Sequence, residues 1–123
     1  MTNIISPQVK YVELMLERTL NNKTLAKNLF EKLFSSLRIQ LNDLSLSLRE
    51  NDLEKAQFIA HDINGVVANC GLINLEYYAQ VMNKFLSEND IINAQKFFQI
   101  FKQQADSMLD CQDDILSLLK EWE

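Results

Sequence analysis

Apolar residues recur at steps of three and four along nearly the whole chain, which is the spacing of one face of a helix. The longest such stripe starts at Ala26 and ends at Leu48, and it predicts a helix over about 25–49. Shorter stripes predict four more helices, at about 7–20, 53–69, 73–86 and 91–121. The last of these is expected to run unbroken, because only Gln112 interrupts its apolar stripe.

Polar caps and short connections indicate how these helices are arranged. Ser6 followed by Pro7 is typical of a helix start, and Gly71 is typical of a helix end. Connections of about two to six residues favour antiparallel neighbours. The sequence therefore predicts one all-α domain over residues 1–123, an antiparallel up-down four-helix bundle with an additional short N-terminal helix. Three more side chains are expected to cap the second, third and last helices, namely Thr24, Asp52 and Asp90.

Composition narrows the class of protein. A chain of 123 residues that is 47% hydrophobic has the size of a single domain, and 2 glycines and 1 proline leave few turns for a β-rich fold. A net charge of −5 argues against nucleic acid and anionic membrane surfaces as partners. No apolar run is long enough to insert into a membrane, and no signal peptide is evident. We therefore expect a cytoplasmic monomer.

The two cysteines, Cys70 and Cys111, fall on different predicted helices. Their spacing leaves a disulfide open, although buried reduced thiols are favoured. A structural zinc ion needs four ligands, and one histidine with two cysteines supplies three at most. No metal site is therefore predicted.

The segment from Asp52 to Gly71 holds the single histidine and both glycines of the chain. Drawn as a helix, it turns an apolar face inward and leaves His61 nearly opposite the centre of that face. A glycine inside a helix costs about 1 kcal/mol relative to alanine. Gly65 therefore needs a compensating reason, and close approach of another molecule to His61 is one. The inward face consists of Leu53, Ala56, Ile59, Ala60, Ile63, Val66, Val67 and Cys70.

The pattern Ala60-His61-x-x-x-Gly65, with Gly71 ten residues after the histidine and Leu72 behind it, resembles the histidine-containing phosphotransfer (HPt) domain. The resemblance is specific over about residues 52 to 72 and is carried beyond them by helix lengths and apolar spacing. One position departs from the family pattern, because Asn64 stands where these domains usually have lysine or arginine. An amide can donate a hydrogen bond to a phosphoryl oxygen, but it cannot neutralise the charge.

The resemblance implies a phosphocarrier rather than a turnover enzyme. His61 would accept a phosphoryl group from a receiver-domain aspartate and pass it to another receiver, with Asn64 as a hydrogen-bond donor and Gly65 as clearance. The partners implied are response-regulator receiver domains and hybrid sensor histidine kinases. The protein is expected to have no cofactor of its own, since Mg²⁺ belongs to the receiver. Weaker expectations for partner or phosphoryl binding fall on Gln57, Phe58, Ala68, Leu72, Gln80, Asn83 and Lys84.

Two other interpretations stay in view. The first is a helical interaction module of the same fold that binds a receiver or another signalling protein without carrying phosphate, which the missing basic residue at Asn64 motivates. The second is the phosphoacceptor helix of a histidine kinase, since Asp62 follows His61. That interpretation requires a nucleotide-binding domain, for which 123 residues leave no room. In those kinases a polar residue commonly stands four positions after the histidine, where this chain has Gly65. The phosphotransfer interpretation therefore fits better.

Overall fold

The computed structural model describes residues 6–122, so the ends of the predicted 1–123 domain lie outside the described part. Within that part the chain is all-helical, with six helices and no strand, which confirms the prediction of an all-α fold. None of these helices is long and apolar enough to cross a membrane. The helices are α1 (Pro7–Arg18), α2 (Lys23–Arg49), α3 (Leu53–Asn69), α4 (Ile73–Ser87), α5 (Ile91–Asp110) and α6 (Gln112–Glu121).

Successive helices pack on one another around a single apolar core. α2 packs on α3, α3 on α4 and α4 on α5, and both α5 and α6 return to α2. α1 packs mainly against α6 and also approaches the connection between α3 and α4. Each helix contributes fully buried side chains to one continuous cluster, for example Val12, Phe30, Ile63, Met82, Phe98 and Ile115.

The connection between α1 and α2 differs from the prediction at both helix ends. α1 ends at Arg18 rather than near residue 20, because Leu20 and Asn21 adopt left-handed conformations with φ of 54° and 64°. α2 then starts at Lys23, and Asn22 caps it by accepting a hydrogen bond from Leu25 N at 3.0 Å. The prediction that Thr24 caps α2 is therefore wrong, because the helix already begins at Lys23 and Asn22 caps it. The other predicted caps, Ser6, Asp52 and Asp90, are confirmed.

The prediction of an unbroken last helix is also wrong, because the helix is interrupted at Cys111, which separates α5 from α6. A break frees carbonyl groups that a continuous helix would bond. Here Arg38 of α2 supplies donors, since its Nη2 lies 3.2 Å from Leu109 O and 2.7 Å from Gln112 Oε1. The break lets α6 pack against both α1 and α2.

Candidate functional site

α3, which carries the histidine, has the bounds that the sequence predicts, Leu53–Asn69. Asp52 caps it, with its Oδ1 accepting a hydrogen bond from Lys55 N at 3.2 Å. Most of the predicted inward face is buried in the core, and Leu53 and Val66 pack partly buried against it. The opposite side of the helix faces solvent, and His61 is exposed there.

The surface around His61 is open and partly apolar. A Cβ added at Gly65, one turn after the histidine, would meet nothing within 4 Å beyond the adjoining backbone, so the space at this position is open. Phe58 is 73% exposed one turn before the histidine, although it is a large apolar side chain. Ala68 is half-buried one turn beyond Gly65. These four residues (Phe58, His61, Gly65 and Ala68) form what we call the histidine face.

Asn64 is half-buried beside this face and has an unusual environment. Its Oδ1 is buried and accepts no hydrogen bond from the described residues. An acceptor that is buried without a donor is unfavourable. The other polar atom of this amide, Nδ2, is a donor and is not among the buried unpaired atoms of the described part.

Two amide side chains join α3 to α4 beside the histidine face. Gln57 Nε2 donates to Leu86 O at 2.7 Å, and Asn83 Nδ2 donates to Ala60 O at 2.8 Å. Asn83 Nδ2 also lies 3.0 Å from Ala79 O on its own helix. Both side chains are half-buried. The Asn83 amide therefore has a backbone carbonyl for each of its two N–H donors, whereas the Gln57 amide donates one bond to a backbone carbonyl.

The other two predicted residues of α4 are exposed. Gln80 Nε2 donates to Glu76 Oε1 at 3.1 Å, so its amide is held along its own helix. Lys84 takes part in none of the ion pairs within residues 6–122.

One predicted residue does not belong to the exposed surface. Leu72 is only 2% exposed and is part of the apolar core, directly before α4. The prediction that it contributes to partner docking is therefore wrong, because a side chain in the core offers no surface to a partner. The sequence pattern of α3 alone contains no signal for this, since α1 approaches from a distant part of the chain.

The acidic residue that follows the histidine is contacted from another helix, which the sequence did not predict. Gln40 Nε2 of α2 lies 3.4 Å from Asp62 Oδ2, next to His61. The Oε1 of Gln40 is buried without a donor among the described residues. Only the register of α2 against α3 brings these side chains together, so no local pattern could have predicted it.

Both cysteines are free, so the structure contains no disulfide between them. Burial raises the pKa of the Cys70 thiol to about 11, an effect that the nearby Arg18 cation opposes. Cys111 is half-buried at the break between α5 and α6, where its Sγ lies 3.4 Å from Gln8 Nε2. Within residues 6–122, no three His, Cys, Asp or Glu side chains come close enough together to hold a metal ion.

Comparison with protein families gives a match to the Hpt domain over residues 28–120. The chain belongs to the Hpt domain family. Hpt domains act in phosphotransfer within two-component signalling, generally as phosphocarriers, and interact with receiver domains and kinases. α1 and the first turn of α2 lie outside the matched segment. Neither the curated proteins nor the solved structures gave a match.

Proposed function

We propose that this Hpt domain is a phosphorelay carrier, in which His61 accepts a phosphoryl group from a receiver-domain aspartate and passes it to another receiver. The observation that carries the proposal is the open space around the histidine. His61 is the single histidine of the chain and is exposed on the middle of α3, and a Cβ at Gly65 would meet no atom within 4 Å beyond the adjoining backbone. A receiver active site can therefore reach the imidazole.

The chemistry is a reversible exchange between two high-energy groups. An imidazole nitrogen of His61 forms a bond to phosphorus while the bond from phosphorus to the aspartate oxygen breaks, and the aspartate leaves as a carboxylate with the electron pair. Transfer to the next receiver reverses these steps. Such a transition state requires in-line positioning and charge stabilisation. Mg²⁺ on the receiver supplies much of the latter, so we assign no metal to this protein.

Three neighbouring residues have distinct roles in this proposal. Gly65 provides clearance, and the Asn64 amide donates a hydrogen bond to a phosphoryl oxygen. This role is supported by the contrast within the amide, since Oδ1 is buried without a donor whereas Nδ2 is not among the buried unpaired atoms of the described part. Lys84 supplies the positive charge that Asn64 lacks, since it is exposed and in none of the ion pairs of the described part.

The receiver docks on the histidine face. Phe58 offers an exposed apolar side chain, and Gly65 and Ala68 offer a low surface beside it. A small apolar centre with a polar rim is typical of transient interfaces. The same surface would meet a free-standing response regulator or the receiver domain of a hybrid sensor kinase, because both present the same fold to it.

We further propose that α2 to α5 form an up-down four-helix bundle, with α1 outside it. Two cross-helix bonds support this for α3 and α4, since Gln57 meets Leu86 while Ala60 meets Asn83, as antiparallel helices require. The return of α5 to α2 closes the ring of packed helices.

A second candidate is a module of this family that binds a receiver without carrying phosphate. Asn64 favours it, because a site without a cation three residues after the histidine is less suited to holding a phosphoryl group. The two candidates share the docking surface and differ only in whether His61 becomes phosphorylated.

Phosphorus NMR of the protein after incubation with a phosphorylated receiver and Mg²⁺ separates the candidates. The carrier predicts a phosphohistidine signal, stable in alkali and labile in acid, that is absent from His61→Gln. The variant should still bind the receiver, which a titration followed by amide NMR would show. Binding of several competent receivers with no phosphohistidine signal in the wild-type protein would favour the binding module.

A further inference from the structure

Asn83 contacts the backbone from which His61 projects. Its Nδ2 lies 2.8 Å from the carbonyl oxygen of Ala60, and that carbonyl belongs to the peptide group that joins Ala60 to His61. The same amide group lies 3.0 Å from Ala79 O. The Asn83 side chain of α4 is therefore hydrogen-bonded to the turn of α3 that carries the histidine, on the buried side of the histidine face.

A second hydrogen bond lies one turn away and is donated in the opposite direction, from α3 to α4. Gln57 Nε2 of α3 donates to Leu86 O of α4 at 2.7 Å. The two bonds therefore bracket the turn that leads into His61, one donated from each helix. Sliding α4 along α3 or rolling it on its axis would lengthen at least one of them. Together they fix the register of the two helices at the site.

These bonds are additional to those that form the helices. In an α-helix each carbonyl accepts from the amide four residues later, so Ala60 O and Ala79 O have partners in their own helices. Removing the Asn83 amide would leave neither carbonyl without a donor. A carbonyl has two lone pairs, and Asn83 uses the second one. The side chain is therefore not needed for either helix to form.

From this geometry we infer that Asn83 is a positioning residue for the phosphoryl transfer proposed above, and the inference rests on that proposed function. Asn83 has no donor free for a phosphoryl oxygen, because both of its contacts are backbone carbonyls. Its neighbour Lys84 is exposed and has a free ammonium group within the described part. By fixing α4 against α3, Asn83 determines the position of Lys84 relative to His61.

The test compares Asn83→Leu with the wild-type protein in single-turnover transfer from a phosphorylated receiver. Leucine has a similar size and no donor. We expect transfer to slow by about tenfold, the effect of a modest displacement of a charge that stabilises the transition state. The matched control is Asn74→Leu, which removes an exposed amide from the first turn of the same helix and should leave the rate unchanged.

A double variant distinguishes positioning from a general loss of stability. If Asn83 acts through Lys84, then Asn83→Leu should slow transfer by less than about twofold when Lys84→Met is already present, because coupled residues are not additive. A full slowing in the Lys84→Met background, or no slowing in Asn83→Leu alone, would overturn the inference. An unphosphorylated wild-type protein would instead overturn the proposed function, and this inference with it.

NMR of the wild-type protein gives an answer even if Asn83→Leu does not fold. The side-chain amide signals of Asn83 should keep their positions when His61 becomes phosphorylated, because the amide stays bonded to Ala60 and Ala79. The amide signals of Asn64 should move. A large movement of the Asn83 side-chain signals would mean that Asn83 binds the phosphoryl group itself, which would overturn the positioning role.

Discussion

Gly71 lies so close to Arg18 that a side chain at the glycine would meet it. A Cβ built on Gly71 stands 3.1 Å from Arg18 Cβ and 3.4 Å from the carbonyl oxygen of Leu14. The backbone of Gly71 is also left-handed, with φ of 68°. Gly71 thus terminates α3 and, by lacking a side chain, leaves room for α1 at the same point. Both properties support a structural role for Gly71.

We expect Gly71→Ala to lower the free energy of unfolding by about 1–3 kcal/mol, the usual cost of a strained backbone position. The Arg18 Cβ is fixed to the backbone of α1, so the contact is relieved only by moving that helix. Chemical denaturation would measure the loss. Gly71→Asn should cost less, because asparagine tolerates the left-handed conformation better. Equal stability of Gly71→Ala and wild type would contradict the packing described above.

Gly65 should respond in the opposite way, because the space around it is empty. Gly65→Ala should raise the free energy of unfolding by about 1 kcal/mol, the difference in helix propensity. The measurement is the same denaturation experiment, which makes the two glycines internal controls for each other. A destabilised Gly65→Ala would show that the glycine serves the fold after all.

The same position should limit transfer once its side chain becomes large. Gly65→Leu keeps the helix but covers the approach to His61. We expect phosphoryl transfer to be about 100-fold slower, because the leucine keeps the receiver from bringing its phosphoryl group into position on the imidazole. Asn69→Leu, an exposed position near the end of α3, is the matched control for adding an apolar side chain. Unimpaired transfer in Gly65→Leu would show that Gly65 is not clearance.

Replacing Asn64 should shift the balance between phosphohistidine and aspartyl phosphate. In Asn64→Lys a cation offsets the charge of the phosphoryl group, and the buried unpaired Oδ1 is removed. We expect the equilibrium with a receiver to move toward His61 by about tenfold, or about 1.4 kcal/mol. Quantifying labelled protein and receiver at equilibrium would measure it. Asn64→Met, which is apolar and uncharged, should lack this shift, and an equal shift there would rule out the charge as the cause.

The free energy of unfolding should decrease at alkaline pH because of the Cys70 thiol. Burial raises the pKa of this thiol from 9.0 to about 11 in the folded protein, so the unfolded chain loses its proton first. The contribution to stability is complete below pH 9 and is lost as the pH rises toward 11. Denaturation at several pH values should show this decline. Cys70→Ala should weaken the pH dependence between these values, and an unchanged slope would show that other groups cause it.

The parts of the fold that could be predicted are those with local causes. The bounds of α3 follow from a cap at Asp52, one apolar face and a glycine at Gly71, all within twenty residues of chain. The exposure of His61 follows from the same periodicity. The sequence predicts the start of α2 two residues too late, because Asn22 and Thr24 are both good caps and only the turn at Leu20 and Asn21 decides between them.

What could not be predicted depends on contacts between distant segments. The break at Cys111 is stabilised by Arg38, more than seventy residues earlier. Leu72 is buried because α1 covers the α3–α4 connection. The sequence predicts Asn83 as a phosphoryl ligand, whereas the register of α4 against α3 directs its amide to Ala60. Periodicity places a residue on a helix face, but it does not say what the neighbouring helix offers there.

The position of α1 has a practical consequence for anyone who trims the chain. The family match starts at residue 28, and a fragment cut there would lose α1 together with the first turn of α2. It would also uncover Leu72 and Cys70, which α1 helps to shield at the end of the histidine helix. The smallest unit that should be expressed is therefore set by the packing of Arg18 on Gly71, and not by the boundary at which the family pattern begins.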